Sequence, residues 1–299
     1  MNERIPDGIL VVDKPFGKTS FWMVSQIKRL LRVSKVGHAG TLDPLSTGVL
    51  VMGIGYATRV LKYIESYEKE YTGVVKLGET RTTDDAEGDV IDQRTVPDLS
   101  ATGLIAIFAS FTGSIMQQPP LFSAVKIRGE RAFARARRGE QFSLAARAVT
   151  IHEIALVSFT AELNEFTIRV RCSKGTYIRS LARDIGEALG CGAHLKSLRR
   201  TRIGHFNVHA ALLLEQNDTA ASIAPRIIPI IDALNGVPRM QVNSTEAIVL
   251  RGGMPVAAPS GSDETEVLVV DDTESPVCIG MRSRSEKGYF IRPLRILKA

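Results

Sequence analysis

Little in this sequence can bring a metal, a thiol or a membrane into its chemistry. Its three cysteines, Cys172, Cys191 and Cys278, are an odd number with no CxxC spacing. That fits reduced thiols in a cytoplasm better than a disulfide frame or a zinc site. Of the five histidines (His38, His152, His194, His205 and His209), only His205 and His209 are spaced HxxxH, and HFNVH lacks the glutamate of a zinc-protease HExxH, so no metal is expected. No run of about eighteen apolar residues could span a bilayer. The opening MNERIPDGILVVDKP has no basic stretch followed by an apolar one, so export is not expected and a cytoplasmic protein is. DKPFGKTS (13–20) ends like a phosphate-binding loop, but Val12 stands where the first glycine belongs and Pro15 removes a backbone N–H. GIGYAT (53–58) has two of the three dinucleotide-binding glycines and Thr58 in place of the third. The acidic stretch Asp84, Asp85, Glu87, Asp89 lacks the alternation of a calcium loop and is expected to stay solvated. No cofactor is expected, and any chemistry falls to ordinary side chains.

What the chain does have is length, an ordinary apolar content and a surplus of positive charge. With 299 residues, 44% hydrophobic and 23% charged, it can build one large domain and one small one. The net charge of +6 is unevenly spread. Residues 240–299 hold 7 Lys+Arg and 8 Asp+Glu, leaving 31 basic against 24 acidic residues in the first 239. Basic residues cluster at Lys28, Arg29, Arg32 and Lys35; at Lys126, Arg128, Arg131, Arg135, Arg137 and Arg138; and at Lys196, Arg199, Arg200 and Arg202. One such cluster is as easily a solvated helix face, but three together indicate a polyanion as partner.

Periodicity predicts strands at 8–14, 49–54 and 71–78, and a clean alternation of Phe166, Ile168, Val170 and Cys172 over 165–172. Helices are predicted after Thr19 or Ser20, with Phe21, Val24, Ile27 and Leu31 inward; over 100–112, from Ser100 to Gly113; over the basic 129–140; and over 176–189, with Ile178, Leu181, Ile185 and Leu189 inward. No strand–helix repeat emerges, so the fold class is α+β, a largely antiparallel mixed sheet flanked by helices. Glycine and proline in NGVPRM (235–240) coincide with the charge shift and mark a boundary. Domains are expected at 1–237 and, as a small β-rich unit, at 238–299.

One carboxylate needs an explanation. In GHAGTLDPLSTGVL (37–50), Asp43 lies between Leu42 and Pro44 with no other acid nearby. It could form an Asp-Pro turn or cap a helix. It could equally be a functional carboxylate kept ionised in an apolar pocket, which requires a cation close by. The small residues around it would let a flat ring approach.

GHAGTLDPLSTGVL resembles the catalytic segment of the TruB family of tRNA pseudouridine synthases. DKPFGKTS resembles the opening motif of that family. KEYTGVVKLGETRTTDDAEG (69–88), QQPPLFSAVKIRGERAFARARRG (117–139), CSKGTYIRSLARDIG (172–186) and GCGAHLKSLRRTRIGHF (190–206) are similar to its later blocks, in the same order. The resemblance implies a pseudouridine synthase fold. It also implies isomerisation of uridine to pseudouridine at position 55 in the T-loop of tRNA, without cofactor, metal, nucleotide cofactor or membrane, by a chain expected to be a monomer. By position, Asp43 would be the catalytic aspartate, Tyr71 would stack on a flipped uracil, and Arg179 would pair with Asp43. Leu198 would pack beneath the pocket and His38 would wedge into the RNA stack. Lys14, Arg128, Lys174, Arg199, Arg200 and Arg202 are further candidate RNA contacts. The tail NSTEAIVLRGGMPV…GYFIRPLRIL resembles, more loosely, a PUA-type RNA-binding module. Phe133 and Ser46 depart from the family's frequent tyrosine and alanine. Two rivals go with these residues: a tRNA-folding chaperone that needs no catalysis, and a dyskerin-type subunit that depends on a guide RNA. A glycosidase would need a second carboxylate, and none is evident in the sequence.

Overall fold

Side chains alternating at two-residue spacing build the central sheet. In the computed structural model, which describes residues 5–262, 264–286 and 288–297, Lys69, Tyr71, Gly73, Val75 and Leu77 all turn to the buried face of one strand. The strands of the first sheet are β1 (Gly8–Lys14), β2 (Val36–Ala39), β3 (Ser46–Ile54), β4 (Lys69–Leu77), β7 (Gly113–Gln117), β10 (Arg147–Thr160), β11 (Glu165–Cys172), β12 (Ala193–Ile203) and β13 (Phe206–Asn207). Two small hairpins stand outside it: β5 (Glu79–Arg81) with β6 (Val90–Gln93), and β8 (Lys126–Ile127) with β9 (Glu130–Arg131). The order across the sheet is β1-β3-β12-β4-β11-β10-β7, with β2 on β3 and β13 on β12. Every pairing is antiparallel except β3 with β12, as the α+β reading requires.

That parallel pair positions the site. It sets Leu198 opposite Ser46 and Arg200 opposite Gly48, so the chain entering β3 lies beside the middle of β12. Gly48 has φ +102°, and a Cβ there would meet the Arg200 carbonyl oxygen at 2.2 Å. A side chain at Gly48 would force the two strands apart and strain the backbone. Gly48→Ala is therefore expected to lose about 3 kcal/mol of stability, read as a drop in melting temperature; an unchanged melt contradicts it.

Helices cover both faces. Helix α1 (Ser20–Leu31) packs Met23, Ile27 and Leu31 onto Leu10, Val12, Leu50 and Met52. Short α2 (Leu61–Ser66) covers Val49 and Val51 on the opposite face. Helix α3 (Ala101–Ser110), capped by the Ser100 side chain, and α5 (Ile178–Ala188) close over Val75, Phe166 and Ile168. The inward face of α1 departs from expectation. Ser20, Met23, Ile27 and Leu31 are buried while Phe21 is exposed, because the Ser20 hydroxyl is bonded to the backbone of Leu42 and fixes the helix's rotation. The basic stretch 129–140 departs as well. Its first residues form the β8–β9 hairpin, which turns at Arg128 and Gly129 with positive φ, and only α4 (Ala132–Arg137) is helical.

From Arg239 onward a second sheet forms, in the order β14-β16-β17-β18-β15. Its strands are β14 (Arg239–Gln241), β15 (Val256–Ala257), β16 (Thr265–Val270), β17 (Pro276–Ser285) and β18 (Gly288–Ile296), which is the β-rich unit expected there. It does not hang free. Leu268, Val270, Ile279 and Leu297 share a buried cluster with Ile9, Val49 and Ile203 of the first sheet. Glu266 accepts bonds from Lys62 (3.0 Å) and from the Tyr63 hydroxyl. Together these contacts join the two sheets through an apolar interface.

Candidate active site

The loop between β2 and β3 carries Asp43, and four side chains or backbone groups hold it from both ends. Gly40 turns the chain with φ +79°, and its carbonyl accepts from Arg200 Nη2 at 2.9 Å, while Arg200 Nε donates to the Val49 carbonyl at 2.7 Å. Ser20 Oγ accepts from the Leu42 N–H at 2.9 Å and donates to the Leu42 carbonyl at 3.1 Å. The Pro44 carbonyl accepts from the Gly17 N–H at 2.9 Å and from Lys14 Nζ at 3.3 Å. Leu42 and Leu45 are buried on either side of Asp43. With its neighbours anchored inward, the Asp43 side chain is directed out of the core and is 40% exposed.

There it meets Arg179. The guanidinium Nη2 lies 3.0 Å from Asp43 Oδ2, and Arg179 Nε lies 3.5 Å from Asp85 Oδ2. Nη1 also donates to the Thr83 carbonyl and Nη2 to the Phe122 carbonyl, each at 2.9 Å. Arg179 and Asp85 are both almost fully buried, so water cannot screen these contacts much. The segment at 117–123 holds the N-terminal end of α5 in place. Gln117, itself buried, accepts from the Tyr177 N–H at 2.8 Å and donates to the Tyr177 carbonyl at 3.1 Å, and Ser180 Oγ donates to the Gln118 carbonyl.

Apolar groups complete the pocket. Tyr71 is 8% exposed and shares a cluster with Leu42, Leu198, Cys172 and Ile178. Gly73 lies opposite Leu198 across the strands, and a Cβ on it would meet Leu198 Cδ1 at 3.3 Å. Burial raises the Tyr71 phenol above its ordinary value, with the Arg200 guanidinium opposing, so it is a neutral ring and hydroxyl at neutral pH. Burial likewise raises the Tyr177 phenol and pushes the Cys172 thiol up to about 11, which leaves no thiolate nearby. His38 is lowered by burial, with Arg200 adding to the effect. It is therefore neutral at physiological pH, and its Nδ1 is buried without a partner. Among the described residues no group of three or more His, Cys, Asp or Glu side chains could hold a metal.

Several expected roles look different in three dimensions. Arg200 is only 1% exposed and spends its hydrogens on carbonyls. Arg199 forms a fork with Asp13, at 3.1 and 2.6 Å. Arg202 pairs with Glu68 at 3.0 Å. Lys14 is fully buried and donates to the carbonyls of Pro15, Lys18 and Pro44. Of these four cations, grouped from the sequence as RNA contacts, Lys14 and Arg200 are buried, while Arg199 and Arg202 are paired with carboxylates but keep part of their side chains at the surface; Arg128 and Lys174 are exposed. The acidic stretch is solvated only in part: Glu87 and Asp89 are exposed as expected, but Asp84 and Asp85 are not. Asp84 bonds Arg183 at 2.7 Å, and buried Asp85 accepts from Thr83 Oγ1 and the Glu87 N–H as well as facing Arg179. Sequence reasoning missed Asp85. The available signal was the run Thr83-Asp84-Asp85-Ala86-Glu87, where a side chain that caps its own turn is common.

Lys14 gives a pH-dependent expectation. Burial brings it down from 10.5 to about 8, with Asp43 and Glu87 opposing. Below that pH the ammonium has three donors for three carbonyls; above it the amine has two, and the bond to Pro44 is the longest. Turnover should decline above about pH 8 as the loop loses this tie, and Lys14→Met should show a lower plateau without that decline. An alkaline limb that persists in Lys14→Met contradicts the assignment.

Comparisons with known proteins fit this geometry. The family model "TruB family pseudouridylate synthase (N terminal domain)" matches residues 28–178, and "tRNA pseudouridylate synthase B C-terminal domain" matches 179–224. A tRNA pseudouridine synthase B of Synechococcus sp. (strain WH7803) is 44% identical over 270 residues, 89% of either chain. One from Parasynechococcus marenigrum (strain WH8102) is 43% identical over 282 residues, 94% of this chain and 95% of that one. The chain belongs to the TruB family. It is thus an isomerase of the pseudouridylate synthase kind. Among solved structures, a Cbf5-Nop10-Gar1 complex contains a chain with TM-score 0.74 and 26% identity, over 99% of this chain and 86% of that one. The two TruB matches meet inside α5, between Ile178 and Arg179, so the Asp43–Arg179 pair joins both segments.

Proposed function

We propose that this TruB-family chain converts uridine to pseudouridine at position 55 in the T-loop of tRNA, with Asp43 as its catalytic aspartate. The observation that carries this reading is the 3.0 Å pair between half-exposed Asp43 and buried Arg179, set beside the buried Tyr71 ring. The reaction cuts uracil from ribose at N1, turns the ring and rejoins it through C5. Atoms are conserved, so the stoichiometry calls for no co-substrate. A target base inside a folded tRNA must first leave its stack. Tyr71 then offers a ring face and a neutral hydroxyl, Leu198 a floor, and the loop of small residues a narrow entrance. His38, uncharged, fills the space the base vacates. Arg179 holds the Asp43 carboxylate in place through their 3.0 Å contact. The carboxylate can act on C1′ of the ribose, on C6 of the ring, or by removing the C2′ proton on the way to a glycal. A primary isotope effect from deuterium at C2′ marks the last path.

The protein acts in the cytoplasm as a monomer, with residues 1–237 as the catalytic unit and 238–299 as a PUA-like unit. Arg128 and Lys174, both exposed, approach the RNA backbone. The test is to incubate purified protein with a bare T-arm stem-loop transcript and map pseudouridine. Pseudouridine at the T-loop uridine is expected, and an unchanged uridine rejects the reading. Turnover only with added guide RNA and partner proteins would favour the dyskerin-type alternative. If an Asp43→Asn protein refolds tRNA as well as the wild type, chaperone activity accompanies catalysis and is separate from it.

A further inference from the structure

A cleft of about 800 Å³ opens at the end of the β1–β3 pair opposite the active site. Arg29, Arg32 and Lys35 line it from the end of α1 and the turn that follows, Thr219 lines it from the far wall, and Asp7 is the one carboxylate among its lining residues. All three cations are exposed. Several cations of the other basic clusters are neutralised, although Lys126, Arg128, Arg131 and Arg137 likewise have no carboxylate partner among the described residues. Arg199 and Arg202 are paired with Asp13 and Glu68, and Arg135 and Arg138 with Glu130 and Glu140. Among the described residues, Lys28, Arg29, Arg32 and Lys35 have no carboxylate partner; Arg29 bonds only the neutral Gln26 side chain. Part of the cluster serves the helix, since Lys28 and Arg29 lie in its last turn, where cations are favoured. Arg32 and Lys35 lie beyond that turn. Arg32 also holds a left-handed backbone, φ 53°, where glycine would be unstrained. These exposed cations carry no neutralising carboxylate and are free to act on a partner here.

The position of the cleft selects that partner. In the β1–β3 register, Lys14 pairs with Gly48 near the Asp43 loop, and Gly8 pairs with Ile54 at the cleft. Seven strand residues separate the ends, about 20 Å at ~3.3 Å per residue. RNA seated at Asp43 must therefore run about 20 Å along the protein to reach these cations. We infer that this cleft holds the phosphodiester backbone of the tRNA outside the T-arm, contacted by Arg29, Arg32 and Lys35. The inference rests on the proposed tRNA reading and adds a second contact to it.

The experiment compares wild type with a triple variant (R29Q, R32Q, K35Q) on two unmodified RNAs, a full-length tRNA transcript and the T-arm stem-loop cut from it. Binding is measured across a salt series, and turnover on both RNAs. For full-length tRNA the triple variant should bind at least tenfold more weakly. Its slope of log affinity against log salt should be shallower by about 2 to 3. On the stem-loop, binding and turnover should match wild type. The charge-retaining variant R29K/R32K should bind full-length tRNA as wild type does. Equal losses on both RNAs, or no loss on either, overturn the inference. If the triple variant does not fold, Lys35→Gln alone should lower the salt slope by about one on full-length tRNA, and an unchanged slope counts against the cleft. A wild-type protein that makes no pseudouridine in either RNA rejects the proposed function instead, separately from the cleft.

Discussion

Asp43→Asn is expected to bind tRNA as tightly as wild type and to lose at least a thousandfold in turnover, about 4 kcal/mol of barrier. The amide has the shape of the carboxylate, and the Leu42, Ser20 and Pro44 anchors of its loop involve backbone groups that the substitution leaves alone. Only the charge disappears. Each proposed path, attack on C1′, attack on C6 or removal of the C2′ proton, uses that charge as nucleophile or base. Single-turnover kinetics with saturating enzyme separate binding from chemistry. Activity within tenfold of wild type contradicts a catalytic role for Asp43.

Arg179→Ala should have the next largest effect, and it should act in two ways. One guanidinium serves Asp43, Asp85 and the carbonyls of Thr83 and Phe122. Removing it leaves Asp85, only 2% exposed, without a counter-charge. Breaking such a buried pair costs about 3–5 kcal/mol of stability. Turnover should fall by about a hundredfold or more, at roughly 1.4 kcal/mol per tenfold. A stability loss with turnover unchanged would make Arg179 a structural strut rather than the partner of the catalytic group. Arg179→Lys tests the geometry, because a point charge cannot reproduce a fork shared among four acceptors.

Asp85 also bears on the glycosidase alternative. A second carboxylate does lie near Asp43, but it is buried behind the same arginine and bonded to Thr83 and the Glu87 N–H. It is placed to brace Arg179 and does not face a sugar from the opposite side, as two-carboxylate hydrolysis requires.

The segment DKPFGKTS shows how a misleading motif can be explained by position. Its lysine and glycine look ready for phosphate. In the fold, Lys14 and the Gly17 N–H bind the Pro44 carbonyl, and Ser20 binds both polar groups of Leu42. The segment is a brace for the Asp43 loop.

Local pattern was enough to determine much of this protein. Alternation at 165–172 and along 69–77, the inward row Ile178, Leu181 and Ile185, and the Ser100 cap all follow from neighbours a few residues apart. So does the order of blocks that placed Asp43, Tyr71 and Arg179 together in one family. Only the tertiary structure decided which charges are free. Arg200 meets Gly40 and Val49 across about 150 residues of chain, Arg199 meets Asp13, and Arg179 meets Asp85. The burial of Asp85 and the rotation of α1 toward Ser20 depend on the same kind of contact. The physical reason is range: periodicity and capping act within a turn or two of chain, whereas the partner and solvation of a charge are set by whichever distant strand or loop the fold brings against it.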